Sequence, residues 1–311
     1  MPHSHHSHSG EFCMHARDTL EEVVLTAIEK GMKVLALTEH MPRDLPDDLY
    51  PEETEARITN FDLWRTFADF CDQANKMRAT YGHLINILVG FEVDYIRESS
   101  IQLVQRLQED YKFDMFLGAV HHVNTIPIDF DRDMYLTAQA SCGGSDEKLF
   151  EAYFDAQYAM LQLQPPIVAH FDLIRLFSEN PTFPLQFWPG VWGRVVRNIE
   201  FVVGYGGLFE LNSASLRKGW DEPYPRRDVC EAIVERGGRF CLSDDSHGAS
   251  QVGLNYDKLL FYVESLGIEN IHYLERLPMG QIMVDCLGPC KVRSTPVQNL
   301  RNEPFYLQYI Q

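Results

Sequence analysis

The 311-residue chain is 45% hydrophobic, enough for one large domain or two ordinary ones, and carries a formal net charge of −18. That charge argues against nucleic acid or an anionic membrane surface as a partner, and no apolar run reaches membrane-spanning length. The 7 cysteines are dispersed apart from Cys286 and Cys290, which lack a second pair for a zinc site. No basic region followed by an apolar stretch opens the chain, so reduced thiols and a cytoplasmic setting are expected.

The first segment, Met1 to His15, is rich in histidine. In an extended strand His6 and His8 point the same way, and His15 follows a short loop that can curl back toward them. A purification tag is normally an unbroken histidine run, whereas serines interrupt this one; a metal-binding arm is the preferred reading, provided the rest of the chain supplies more ligands. Thr19 and Glu22 then form a capping-box signature ahead of Leu20, Val23, Val24, Ala27 and Ile28 at helical spacing, and Gly31 ends the helix. Val34 to Thr38 reads as a strand, followed by an acidic loop from Pro42 to Glu55 and a helix from Asn60 to Thr80. Ile85 to Phe91 reads as a strand, Glu98 to Asp110 as a helix, Asp114 to Val120 as a strand and Asn124 to Asp146 as a long polar loop. Helices are expected at Asp146 to Gln164, Trp192 to Tyr205, Pro225 to Arg236 and Asn255 to Leu266. Strands are expected at Pro166 to Ala169, Leu208 to Leu211 and Arg239 to Leu242. From about Gly267 no clear period remains, and this stretch is taken as a C-terminal extension.

Strand alternating with helix predicts a parallel sheet with crossover helices. Counting the opening segment gives about seven evenly spread strands, which favours a closed barrel over an open sheet. No glycine-rich fingerprint follows the first strand, so a dinucleotide fold is disfavoured. Each strand ends in polar residues of ligand type: His6 and His8, His40, Glu92, His121, His170, Asn212, then Asp245 and His247. Parallel strands of a barrel put all these ends at one mouth, where barrel enzymes keep their chemistry. One histidine at a strand end is ordinarily a satisfied core residue, but a whole set of unpaired polar ends is too costly to be packing. With His15, the metal-ligand candidates are His6, His8, His15, His40, Glu92, His121, His170, Asp245 and His247. That is more than one tetrahedral zinc needs, so two or three divalent transition metals are expected, with mixed histidine and carboxylate ligands suiting zinc, iron or manganese.

In this order the sequence resembles the PHP (polymerase and histidinol phosphatase) superfamily, and within it the histidinol-phosphatases. The matching pieces are His6-Ser7-His8, His15, Thr38-Glu39-His40, Gly90 to Ile96, Ala119-Val120-His121, Ala169 to Asp172, Glu210 to Ser213 with Arg217 and Lys218, and Ser243 to His247. Each motif is weak alone; the ordered set, from residue 3 to about 253, is specific. The resemblance implies a distorted seven-stranded (β/α)7 TIM-like barrel over residues 1–311, extended from about 267, with a trinuclear metal site at the C-terminal mouth of the strands. It also implies hydrolysis of L-histidinol phosphate to L-histidinol and phosphate in L-histidine biosynthesis. The nine candidates fall on the family's ligand positions, while His122 is extra and faces the wrong way.

Such hydrolysis needs an activated water and a clamp on the phosphoryl oxygens, both of which metals supply. Arg217 is the first candidate for a bidentate grip on phosphate, with a surface salt bridge as its ordinary alternative. Arg175 is a second candidate, Ser213 a further substrate contact, and Asp94 a partner for the substrate's ammonium or for a structural ion pair. Asp245 or His247 is expected to serve the leaving alkoxide with a proton. The competing functions are another PHP-type phosphoesterase acting on a small phosphomonoester, a nuclease, which the acidic charge disfavours, and a non-enzymatic metal-binding protein.

Overall fold

Short runs of branched and apolar residues make the strands, and most of their residues are buried on both faces, as parallel sheets covered by helices require. The structure, a computed structural model, describes residues 1–277 and 285–308; residues 278–284 and 309–311, which belong to the expected extension, lie outside the described residues. One three-stranded parallel sheet joins His3–Ser4, Val34–Leu37 and Asn86–Val89. A five-stranded parallel sheet runs, in spatial order, Arg239–Ser243, Leu208–Asn212, Ile167–Val168, Leu117–Ala119 and Glu92–Asp94. The chain passes from one sheet to the other through Gly90 and Phe91, and a parallel bridge between His40 and Glu92 continues the pairing there. Ser246–His247 pairs in parallel with Ser7–His8. The fold is therefore α/β, with parallel strands linked by helices.

Residue alternation along each strand divides the core in two. Leu35, Leu37, Ile87 and Val89 pack outward into the large cluster shared with the helices. Val34, Ala36, Leu88, Leu117, Ile167, Leu208 and Cys241 pack on the other face. At the starts of the strands this second cluster is completed by Tyr273, Leu274, Leu287 and Val292. Those residues belong to an antiparallel sheet of Asn270–Arg276, Cys286–Leu287 and Cys290–Pro296. The stretch taken as a C-terminal extension without a clear period therefore includes a sheet that packs against this second cluster. Its strands escaped notice because exposed and buried positions alternate irregularly along them.

The other differences are local. The capping box forms as expected: Glu22 N donates to Thr19 Oγ1 at 3.1 Å and Thr19 N donates to Glu22 Oε2 at 2.7 Å. The polar stretch after Asn124 is not a bare loop. It contains a hairpin of His122–Val123 with Ile126–Pro127 and a helix Arg132–Ser141, whose N-cap Asp131 accepts from Met134 N at 2.7 Å. Only Tyr135 and Ala138 of that helix are buried, too few to give the sequence an apolar period. The helix expected from Trp192 begins at Pro189, which sits in the first turn, where its missing N–H costs nothing. Among the described residues no helix is long and apolar enough to cross a membrane.

Gly90 marks the step between the sheets. A Cβ there would come within 2.5 Å of the Met115 carbonyl oxygen, a backbone atom that cannot rotate away. Gly90→Ala should therefore force the neighbouring strands apart, at a cost of roughly 1–3 kcal/mol, the usual range for overpacking. Denaturant unfolding checks this; wild-type stability in the variant would show that the strands have room to spare.

Candidate metal centre

The histidine-rich arm is built into the fold by its serines. Ser4 Oγ accepts from Asp244 N at 3.2 Å, and Ser7 Oγ donates to the Ala36 carbonyl at 2.7 Å. Ser9 donates to Glu39 Oε1 through its N–H at 2.7 Å and its hydroxyl at 2.9 Å. Residues 2–9 are buried, which a tag or a solvated polar arm would not be.

Tethering the arm brings His6 and His8 to the carboxylate of Glu92, at the end of the central strand step. Glu92 Oε2 lies 3.2 Å from His6 Nε2, 3.4 Å from His8 Nε2 and 3.2 Å from His40 Nδ1. Its Oε1 lies 2.9 Å from His170 Nε2 and 3.3 Å from His121 Nε2. Asp245 Oδ1 stands 3.6 Å from both His6 and His8 Nε2, and 3.5 Å from His247 Nδ1. His170 and Asp245 both have positive φ, 22° and 49°, a backbone form disfavoured for non-glycine residues and found where a site over-determines its geometry.

Carbonyls and carboxylates hold the far side of several rings. Glu210 Oε1 is 2.8 Å from His6 Nδ1, Glu39 Oε2 is 3.3 Å from His8 Nδ1, and Asp94 Oδ1 is 2.8 Å from His121 Nδ1. The Asp245 carbonyl is 3.0 Å from His247 Nδ1. Such partners fix the tautomer and turn the other nitrogen's lone pair inward, the usual arrangement of metal-bound histidine. The inward nitrogens His6 Nε2, His8 Nε2 and His40 Nδ1 are buried, and none makes a hydrogen bond, although Glu92 Oε2 is within 3.4 Å of each. The donor atoms fall into close groups that share members: His6 with His8 and Glu92, His6 with His170 and Asp245, Glu92 with His121 and His170, His40 with Asp94 and His121, and His8 with Cys13, His40 and His247. This set of imidazoles and carboxylates fits divalent metal ions, and Glu92 belongs to two of the groups.

Without a metal, protons take the cationic places. Burial lowers the His6 imidazole, but Glu92, Asp245 and Glu210 outweigh it and hold it well above its ordinary range. His8, also opposed by burial, is raised to about 9 by Glu39 and Glu92. Burial raises Glu92, yet His6, His121 and His40 hold it well below the usual carboxylate range. The His8 shift stabilises the metal-free fold fully below its ordinary value of 6.5, and that contribution is lost as pH rises through about 9. A metal must displace these protons, so metal binding at neutral pH should release protons and tighten as pH rises toward about 9. Calorimetric titration of the apoprotein in buffers of different ionisation enthalpy measures this; a metal affinity flat from about 6 to about 9 would contradict it.

Above the ring opens a cavity of about 500 Å³. His8, His40, Glu92, His121, His170, Asp245 and His247 line it. His15 stands at the rim, 44% exposed, with Nδ1 3.0 Å from Glu52 Oε1, and enters none of the close donor groups. Arg217 lines the wall. Its guanidinium donates to the carbonyls of Asp244 and Asp245, both at 3.3 Å, and among the described residues it makes no ion pair, so its charge faces the cavity uncompensated by a carboxylate.

Three expected substrate contacts are elsewhere. Arg175 is buried and its guanidinium pairs with Asp228 and Asp172 and donates to the Pro181 and Phe183 carbonyls, so it ties a loop to the helix Arg227–Glu235 and does not line the cavity. Asp94 is sealed beneath the site, accepting from Arg43 Nη1 at 2.9 Å and lying against His121; of its two expected roles, the structural ion pair is the one formed. Ser213 donates to the Leu254 carbonyl at 2.8 Å and does not line the cavity. His122 is buried against Tyr50, away from the ring. Sequence reasoning gave no role to Glu39 and Glu210, whose places beside His40 and within a buried strand were the available signal, nor to Cys13, Asp129 and Lys218 in loops or turns and Glu52 in the short helix Pro51–Glu55.

Comparison with known proteins shows the family. The sequence model of the PHP domain matches residues 4–214. A Schizosaccharomyces pombe protein named "Probable histidinol-phosphatase" is 44% identical over 282 residues, spanning 90% of this chain and 92% of its own. The histidinol-phosphatase of Saccharomyces cerevisiae is 33% identical over 339 residues, spanning 98% of this chain and 99% of its own. The crystal structure of Lactococcus lactis histidinol phosphate phosphatase, complexed with zinc, L-histidinol and phosphate, superposes with a TM-score of 0.64 at 17% identity, over 88% of this chain and 97% of that one. A family match over most of the chain and these relatives together make the chain a member of the PHP domain family.

Proposed function

We propose that this chain hydrolyses L-histidinol phosphate to L-histidinol and inorganic phosphate, the phosphatase step of L-histidine biosynthesis. The observation that carries the proposal is the ring of imidazoles around buried Glu92, set beneath a cavity whose wall offers an uncompensated arginine. The relatives named for this activity span nearly the whole chain, and the Lactococcus enzyme bound zinc together with both products. In this reading the strands make a distorted seven-stranded (β/α)7 barrel within one domain, extended from about residue 267; the parallel pairing of Ser246–His247 with Ser7–His8 supports closure. Two or three ions of zinc, iron or manganese are held by His6, His8, His40, Glu92, His121, His170, Asp245 and His247, with His15 drawn in at the rim. The odd, dispersed set of cysteines favours a reducing, cytoplasmic setting.

Metals held there supply an activated water at neutral pH and neutralise charge on the phosphoryl oxygens. Arg217 grips the phosphate, with Lys218 beside it on the same wall. Asp245 or His247, 3.5 Å apart, passes to the leaving alkoxide the proton that the attacking water gives up. Glu210, Glu39 and Asp94 keep the imidazoles aimed.

The direct test is phosphate release from L-histidinol phosphate, from an aryl phosphate and from single-stranded DNA, with and without chelator. Histidinol phosphate should be the preferred substrate and chelation should abolish turnover. Equal activity on the aryl phosphate would point to a broader phosphoesterase, and chelator-resistant activity would remove the metals from the reaction. His8→Ala and Asp245→Ala should each abolish turnover while circular dichroism stays native, since these side chains lie at strand ends rather than in the packed layers; near-normal activity in either would remove that residue from the site.

Arg217→Lys keeps the charge but loses the planar fork. It should cost roughly 2–4 kcal/mol of transition-state stabilisation, about a thirty- to several-hundredfold loss in kcat/KM. Metal content should not change, because a guanidinium has no lone pair to offer a cation. Wild-type kcat/KM and wild-type inhibition by free phosphate in Arg217→Ala would leave phosphate binding to the metals and Lys218.

A further inference from the structure

One carboxylate on the cavity wall makes no hydrogen bond or ion pair among the described residues, although its charge acts on the buried His121 imidazole. Asp129 sits between the Ile126–Pro127 strand and the helix Arg132–Ser141, lines the cavity and is partly buried. Among the described residues its carboxylate makes no ion pair and no hydrogen bond. The other wall carboxylate outside the imidazole ring, Glu52, is already committed to His15. Asp94, the acid expected to meet an ammonium, is closed off by Arg43 and His121. A partly buried, unpaired carboxylate is costly unless a ligand cation completes it.

Beside Asp129 stands an aromatic surface. Phe130 is 37% exposed and stacks on Tyr50 with ring centroids 5.9 Å apart and planes 18° from parallel; both line the cavity. Arg217 and Lys218, also on the wall, make no ion pair among the described residues. The cavity thus offers free cationic groups for an anion, one free anionic group for a cation, and a partly exposed flat apolar face. A phosphomonoester of an amino alcohol bearing an aromatic ring presents the complementary three groups within a few bonds of each other.

We infer that Asp129 receives the ammonium group of the substrate, and that the Phe130–Tyr50 pair supplies the face on which its ring lies, so that this wall selects aromatic amino-alcohol phosphates. This rests on the substrate proposed above and adds the residues that choose it. Asp129 touches the substrate away from the reacting phosphorus, so its loss should act mainly through KM.

The test compares L-histidinol phosphate with glycerol 2-phosphate, which has neither amine nor ring. In Asp129→Asn the preference for histidinol phosphate, read as the ratio of the two kcat/KM values, should fall roughly ten- to a hundredfold, the size of a lost charge-assisted hydrogen bond. Asp129→Glu should recover part of the loss, and Phe130→Ala should lower the ratio through KM without restoring charge dependence. An unchanged ratio in Asp129→Asn, whether both activities fall together or neither does, would overturn the inference and leave the proposed activity standing. A wild-type enzyme with no preference for histidinol phosphate would overturn the proposed activity and this inference with it.

Discussion

Glu92 is 1% exposed and has five imidazoles within 3.4 Å of its two oxygens. A buried carboxylate is tolerated only where positive charge or donors meet it, and here the neighbours are themselves buried groups with lone pairs to satisfy. Protons can balance the ring only by charging imidazoles against the cost of burial. Divalent cations balance it while also using the inward nitrogens that no hydrogen bond engages. The rest of the molecule serves this constraint: the step at Gly90 presents Glu92, and the serine-tethered arm brings His6 and His8 to it from the start of the chain.

The carboxylates behind the ring do a different job from Glu92. Glu210, Glu39 and Asp94 each meet the Nδ1 of one imidazole and so decide which nitrogen faces inward. Asp94 is in turn fixed by Arg43, which also pairs with Glu53 of the short helix Pro51–Glu55, formed within the stretch expected to be an acidic loop. The site is therefore held from its far side by groups that do not line the cavity.

Much of this was legible because a parallel strand that ends in a ligand must place it at the same mouth as its neighbours. His40, Glu92, His121, His170, Asp245 and His247 were readable one strand at a time, and the structure gathers them. What was not legible depends on partners distant in sequence. Arg175 looked like a phosphate ligand because it follows His170 and Asp172, but its partner Asp228 is 53 residues away on a helix face that no local pattern reveals. Asp94 shares a face with Glu92, yet Arg43 folds over it from a loop without periodicity. The hairpin, the Arg132–Ser141 helix and the C-terminal antiparallel sheet were missed for a related reason: few of their residues are buried in a regular pattern, so their stability comes from what they pack on.

The measurement that tests the centre most directly is anomalous diffraction from crystals of the holoprotein, collected above and below the absorption edges of zinc, iron and manganese. Two or three metal peaks are expected, flanking the Glu92 carboxylate and bounded by His6, His8, His40, His121, His170, Asp245 and His247. A single peak, or none within reach of Glu92 in crystals of active protein, would contradict a multinuclear centre built on that carboxylate.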